Sequence, residues 1–261
     1  MRTIINILFF ALFINLFAQD TDVYRVEFIK YFQIDNDKFE QYNSNVTDRD
    51  VVAKNKEVLT RIDNYTLICD DKEAAYNKEA KLDNSPLGTL SKDDDGSTVT
   101  FHNNSGLILY RNLEKKFSLV PNEKKTMVQD SLPQFDWNTN YSEEKEILGY
   151  KVKKATAKGL EPDTEMTVWY TPEIPYSQGP YLYWGLPGLI LKIDIQVNSE
   201  QGMAYYINSY HFDAKKIEKI TDDNSLLPKV KKVISRDEYN ASIKEFERKK
   251  KEYNSQGVDV D

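Results

Sequence analysis

Apolar and polar residues alternate along much of this chain. In VYRVEFIKYF (23–32), Tyr24, Val26 and Phe28 share one face, the two-residue period of a strand. The next segment, IDNDKFEQYNSNVTDRDVVAKNKEVLTRID (34–63), is charged and has no glycine or proline. It predicts one or two helices, the clearer at 48–60. Strand signals return at 64–69, 97–102 and 106–112. The last two predict a hairpin, because Asn104, Ser105 and Gly106 tolerate positive φ between alternating runs.

Downstream the alternation is cleaner. ILGYKVKKA (147–155), EMTVWYT (165–171), LILKIDIQV (189–197) and MAYYINSYHF (203–212) read as four strands. Short connections between them force antiparallel pairing, since a parallel crossover needs a dozen or more residues. In the third run Leu189, Leu191, Ile193, Ile195 and Val197 face one way, and Lys192, Asp194 and Gln196 the other. One face is therefore buried and one wetter. Near the end, Ser235-Arg236-Asp237-Glu238 is a capping-box pattern, followed by Tyr239, Ile243 and Phe246 at helical spacing. The expected fold is one α+β domain over 19–261. A curved, mainly antiparallel, half-barrel-like sheet is covered by a few helices, with the terminal amphipathic helix laid against it.

Composition adds a compartment. Met1-Arg2, the apolar run from Ile4 to Phe17 and the small Ala18 before Gln19-Asp20 form the three parts of a cleaved secretory signal peptide at 1–18. The apolar run is shorter than the roughly 18–20 residues a membrane span needs, which favours cleavage over an uncleaved anchor, and no later segment is apolar enough to span, so the mature chain is expected to have no transmembrane segment. The net charge of −7 becomes −8 when Arg2 leaves with the leader. Such a chain repels phosphate backbones, which argues against nucleic acid. Cys69 is the single cysteine, in strand phase with Tyr65 and Leu67. It is expected to be a buried small hydrophobe, with no internal disulfide to form.

Standard catalytic signatures are missing. There is no Gly-x-Ser-x-Gly, His-Glu-x-x-His, phosphate loop or Cys-x-x-Cys. His102 and His211, the two histidines, lie in strand-like runs; a zinc site with Cys69 would need three distant strands to converge. SKDDDGS (91–97) resembles part of a calcium loop, yet its closing position is His102 where a bidentate Glu is required. Glu161, Asp163 and Glu165 read as a solvated hairpin loop. No metal and no cofactor is expected. Asn-x-Ser/Thr triplets at Asn45, Asn64, Asn103, Asn140 and Asn240 are attributed to the high asparagine content.

The stretch YLYWGLPGLILKIDIQV (181–197) raises the main question. Leu186-Pro187-Gly188-Leu189 fits a type II turn, with Gly188 at positive φ. Apolar Leu186, Leu189 and Ile190 predict a bend tucked into the core; the competing reading is a backbone N–H nest for an anion. Aromatics crowd around it. Trp169, Tyr170, Tyr176, Tyr181, Tyr183 and Trp184 cannot all point inward from alternating strands, so some are expected to line a binding face. Glu173, held between Pro172 and Pro175, is a candidate acid or base without an identified partner.

Gly185-Leu186-Pro187-Gly188-Leu189-Ile190, with WYTPEIPYSQGPYLYWGLPGLIL (169–191) and ILGYKVKKATA (147–157), resembles the GLPGLI family of uncharacterised exported bacterial proteins. The resemblance implies a periplasmic or secreted protein of the Gram-negative envelope and carries over no catalytic residue. The expected function is a non-catalytic binding or carrier module for an apolar ligand, peptide, lipid or outer-membrane partner. The alternative is a periplasmic hydrolase, such as a peptidase, using Glu173.

Overall fold

The computed structural model describes residues 22–79, 89–92, 98–100, 106–122, 126–199, 205–221, 226–228 and 230–255. The elements run β1 (Val23–Ile34), α1 (Asn36–Tyr42), α2 (Arg49–Thr60), β2 (Asp63–Cys69), β3 (Glu73–Lys78), β4 (Thr89–Lys92), β5 (Thr98–Thr100), β6 (Gly106–Asn112), β7 (Phe117–Pro121), β8 (Thr126–Ser131), β9 (Glu144–Ile147), β10 (Tyr150–Lys158), β11 (Thr164–Thr171), β12 (Leu189–Val197), β13 (Ile207–Ile220), β14 (Lys232–Ser235) and α3 (Arg236–Ser255).

Twelve strands form one open sheet in the order β14-β8-β7-β6-β3-β2-β1-β13-β12-β11-β10-β9. Every pairing is antiparallel except β14 beside β8. The fold is α+β, mostly sheet, and not a closed barrel. β1 is central: it pairs with β2 on one side and with β13, nearly two hundred residues downstream, on the other. Its alternation has the expected result. Val26 and Phe28 are buried in the main core with Leu67, Cys69, Val168, Ile193 and Phe212.

Three details depart from the sequence reading. The run 147–155 is two strands, because Leu148 (φ 52) and Gly149 (φ 83) make the tight turn between β9 and β10. Two consecutive positive φ values match the twist of a hairpin. The expected hairpin of 97–102 with 106–112 does not form. β5 pairs with β4 in a separate two-stranded sheet, and β6 lies between β3 and β7. Alternation marked the strands correctly but could not choose their partners.

The third departure concerns the cover. The core face is overlaid by the long β11–β12 connection, which buries Ile174, Tyr183 and Leu186, and by 132–141, whose Phe135 and Trp137 pack on the same cluster. Helices α1 and α2 make only a satellite core with Phe39, Val52 and Tyr206. Helix α3 does not lie on the sheet face. Its capping box forms as expected, Ser235 N–H to Glu238 Oε2 at 3.0 Å and Glu238 N–H to Ser235 Oγ at 3.1 Å. Because it starts directly after the edge strand β14, with Arg236 paired to Asp130 of β8, the helix continues outward from that edge. Ile243, Phe246 and Tyr253 remain exposed.

Candidate functional site

The β11–β12 connection is organised around a buried cation. Arg111 of β6 is 0% exposed and all its N–H directions are used. Nε and Nη2 donate to Gln178 Oε1 at 3.0 and 2.7 Å. Nη2 also reaches the Gly179 carbonyl at 3.0 Å, and Nη1 those of Tyr181 and Tyr183 at 2.8 and 3.3 Å. Gln178, also fully buried, is tied in turn: its Nε2 donates to Asp70 O, and its carbonyl accepts from Ile190 N–H. Burial pushes the guanidinium down to about 10, which leaves it charged at neutral pH. The Cys69 thiol on the same face is pushed up to about 12 by burial, against the pull of Arg111. It is a core residue.

This arrangement answers the question raised by Gly185 to Ile190. The bend is buried at Leu186, Gly188, Leu189 and Ile190, but it is not a type II turn. Positive φ falls on Gly185 (φ 97), not Gly188, and Gly188 N–H closes a three-residue turn on Leu186 O at 2.8 Å around Pro187. Gly188 is required by space: a Cβ there would stand 2.2 Å from Thr171 O. The N–H groups of Gly185, Gly188, Leu189 and Ile190 are bonded to Ser177, Leu186, Ile174 and Gln178 carbonyls. Those four donors are not free for an anion.

The aromatic set is divided among structural tasks. Tyr170 and Tyr183 are buried. The Tyr183 hydroxyl lies 3.4 Å from that of Tyr210. Trp184 Nε1 donates to Pro133 O, and Trp137 Nε1 to Trp184 O, which clamps 132–141 onto the bend. The Tyr176 hydroxyl donates to Asp22 O. Trp169 lies on the opposite sheet face under Lys145 Nζ, 3.7 Å from the ring centroid. Glu173 is exposed, and its Oε1 accepts Lys151 N–H at 2.7 Å. It lines a depression of about 370 Å³ with Glu144, Lys151, Val152, Lys153 and Pro172.

A second cation on the core face is in a different state. Lys30 follows Val26 and Phe28 in phase, so β1 delivers its amine to the apolar side. Nζ stands 5.0 Å from the ring centroid of Phe32 and 5.3 Å from those of Tyr210 and Phe212. Among the described residues no hydrogen bond or ion pair reaches it. Burial lowers its pKa, partly offset by Glu161 and Asp63. The surroundings are amphipathic. Tyr210 donates to Glu161 Oε2 at 2.5 Å, Lys78 pairs with Asp63 at 3.0 Å, and Tyr76, stacked on Tyr65, has a buried hydroxyl with no partner among the described residues. An orphaned buried hydroxyl calls for an explanation, and an amine perturbed by burial is a functional-site candidate.

The wetter face carries another polar network. His211 Nδ1 is 2.7 Å from Asp194 Oδ1, Nε2 is 2.8 Å from Ser209 Oγ, and the ring stacks on Tyr31. Lys192 bridges Asp194 and Asp213. The order Asp-His-Ser is that of a nucleophile relay. However, Ser209 is 1% exposed and sits in mid-strand between Gln33 and Gln196, where the flanking backbone donors belong to ladders on both sides. Its Oγ also donates to Gln33 Oε1 at 3.1 Å, so the network joins β1, β12 and β13. Burial raises the Asp194 carboxyl, but the bonds from His211 and Lys192 prevail and hold it below its usual value.

His102 and residues 93–97 of the calcium-like stretch lie outside the described residues. Among the described residues no group of three or more His, Cys, Asp or Glu could hold a metal ion, and no helix is long and apolar enough to cross a membrane. Sequence reasoning passed over Arg111, Gln178 and Lys30. A signal was present: both cations keep step with apolar neighbours, Lys30 with Phe28 and Phe32, Arg111 with Leu109.

Fold and site together define an α+β protein built on one open, mainly antiparallel sheet, with a loop that encloses a buried arginine. Residues 158–192, from the end of β10 to the start of β12, match a family described as "Protein of unknown function (Porph_ging)". No curated protein matches the chain. Similar solved structures include PNGF-II in space groups C2 and P21, each at TM-score 0.48 and 16% identity, over 84% of this chain and 32% of that chain. The chain thus spans about a third of the PNGF-II chains it resembles.

Proposed function

We propose that this chain is an exported, non-catalytic binding protein for a ligand with an apolar body and one acidic group, such as a fatty acyl chain. The observation that carries this reading is Lys30: an ammonium held among Phe32, Tyr210 and Phe212 without a bonded carboxylate among the described residues. Keeping a desolvated cation in a core costs stability unless something pairs with it. A carboxylate ligand would supply that partner, with its apolar portion beside the rings of Phe32, Tyr210 and Phe212. Export is supported by the leader pattern at 1–18 and by the GLPGLI resemblance of 185–190.

The site proposed from sequence, Trp169 to Trp184, shifts in emphasis. Trp184, Tyr176 and Tyr183 already have hydrogen-bond or packing partners, whereas Lys30 has no bonded acceptor among the described residues. Titration with a long-chain fatty acid and with the matching primary alcohol, followed by calorimetry, tests the proposal. Lys30→Met is expected to weaken acid binding at least about tenfold, the order of one lost charged hydrogen bond, with alcohol binding little changed. Equal acid affinity in wild type and Lys30→Met, or no binding of either compound, would overturn it.

A further inference from the structure

The sheet register fixes what surrounds Lys30. Its cross-strand neighbours are Asp63 of β2 on one side and Phe212 of β13 on the other. Two carboxylates act on the amine by charge, Glu161 and Asp63, and both are engaged elsewhere. Asp63 Oδ2 pairs with Lys78 Nζ at 3.0 Å, and Glu161 Oε2 accepts the Tyr210 hydroxyl at 2.5 Å. The amine is left facing rings, with Nζ 5.0 Å from the Phe32 centroid and 5.3 Å from those of Tyr210 and Phe212. Phe32 and Tyr65, on the same face, stay partly exposed, so the apolar surroundings reach the surface.

Such a setting suits a nucleophile. An ammonium has no lone pair, whereas a lysine freed of its proton in apolar surroundings adds readily to carbonyl compounds. Burial is the main cause that lowers the Lys30 pKa, and the nearby Lys78 charge adds to it. The rings attract the ammonium form, but they do not hold its protons as a bonded carboxylate would.

We propose that Lys30 captures an apolar aldehyde as an imine. The Nζ lone pair forms the C–N bond while the carbonyl π pair moves to oxygen. Both amine hydrogens then leave with that oxygen as water, and C=N replaces C=O; nothing is oxidised or reduced. This rests on the ligand-binding reading above for the rings that hold the apolar body, but it uses the amine as a nucleophile instead of a charge.

The full chain is incubated at neutral pH with dodecanal and cyanoborohydride, which turns an imine into a stable secondary amine, and labelled lysines are mapped by peptide mass spectrometry. Holding the aldehyde beside the amine raises its effective concentration, so Lys30 should be labelled at least about tenfold faster than the exposed Lys215 and Lys250. Unfolding in urea should abolish that preference. Lys30→Arg keeps a cation that forms no imine, and should lose the preferred adduct with unchanged circular dichroism. Labelling of Lys30 no faster than of the exposed lysines, or with the same preference in urea, overturns the proposal. The two readings fail separately: a Lys30 adduct without fatty-acid binding in calorimetry upholds the imine alone, and acid binding without the adduct overturns it.

Discussion

Arg111 and Lys30 are both basic residues on the core face of one sheet, and they differ in how their charge is met. Arg111 is fully enclosed, yet every N–H has an acceptor, none of them a carboxylate. Lys30 is only half-buried and has rings around it but no acceptor among the described residues. A planar guanidinium with five donors can organise a loop whose carbonyls converge on it; a flexible ammonium in an aromatic setting cannot. The first is a keystone of the fold, and the second is the group on which the proposed ligand reading rests.

Substitutions can break this contrast. Arg111→Met should be the most damaging, about 3–5 kcal/mol in denaturant unfolding, since it strands the Gln178 amide oxygen and the carbonyls of Gly179, Tyr181 and Tyr183, each buried unsatisfied acceptor costing about 1–3 kcal/mol. A loss below about 1 kcal/mol would show that the loop holds itself without its cation. Asp194→Asn, a control on the wetter face, should cost about 1–2 kcal/mol at neutral pH through weakened bonds to His211 and Lys192. Because the Asp194 carboxyl is held below 3.8, the stability it adds is fully present above that value and is lost as pH falls through the lower folded pKa. The gap between wild type and Asp194→Asn should therefore close in acid; a gap that widens would refute the assignment. Lys30→Met should have the smallest effect and the opposite sign, a gain of about 1 kcal/mol without ligand, as when a poorly compensated buried charge is replaced by an apolar side chain. Destabilisation by that change would place Lys30 with Arg111 as an architectural residue.

How much of this was legible in the sequence depends on the range of the interaction. Local rules served well. The helix read at 48–60 is α2 at Arg49–Thr60, and the Ser235–Glu238 box caps α3 as spaced. The runs at 165–171 and 189–197 became β11 and β12 almost to the residue. Long-range choices were not legible. Alternation says which side of a strand is buried, but not that β1 lies against β13 or that β6 leaves β5 for β3. The apolar stripe on α3 looked like a packing face, yet Ile243, Phe246 and Tyr253 stay exposed, because periodicity does not say what a stripe lies against. At the candidate site, the aromatic surplus was visible but its use was not, because Trp184 and Tyr183 are occupied by contacts with Pro133 and Tyr210 far along the chain.

The central place of β1 has a consequence for how the molecule is made. A polypeptide that emerges amino end first exposes β1 well before β13, with one flank waiting for residues up to Ile220. Until they arrive, a long apolar ribbon with an unsatisfied edge is open to the wrong neighbours, a recognised route to aggregation. Closure of the sheet should accordingly be a late and slow event, limited by sequence separation. Fragments ending before β13 should depend on chaperones far more than the finished protein does.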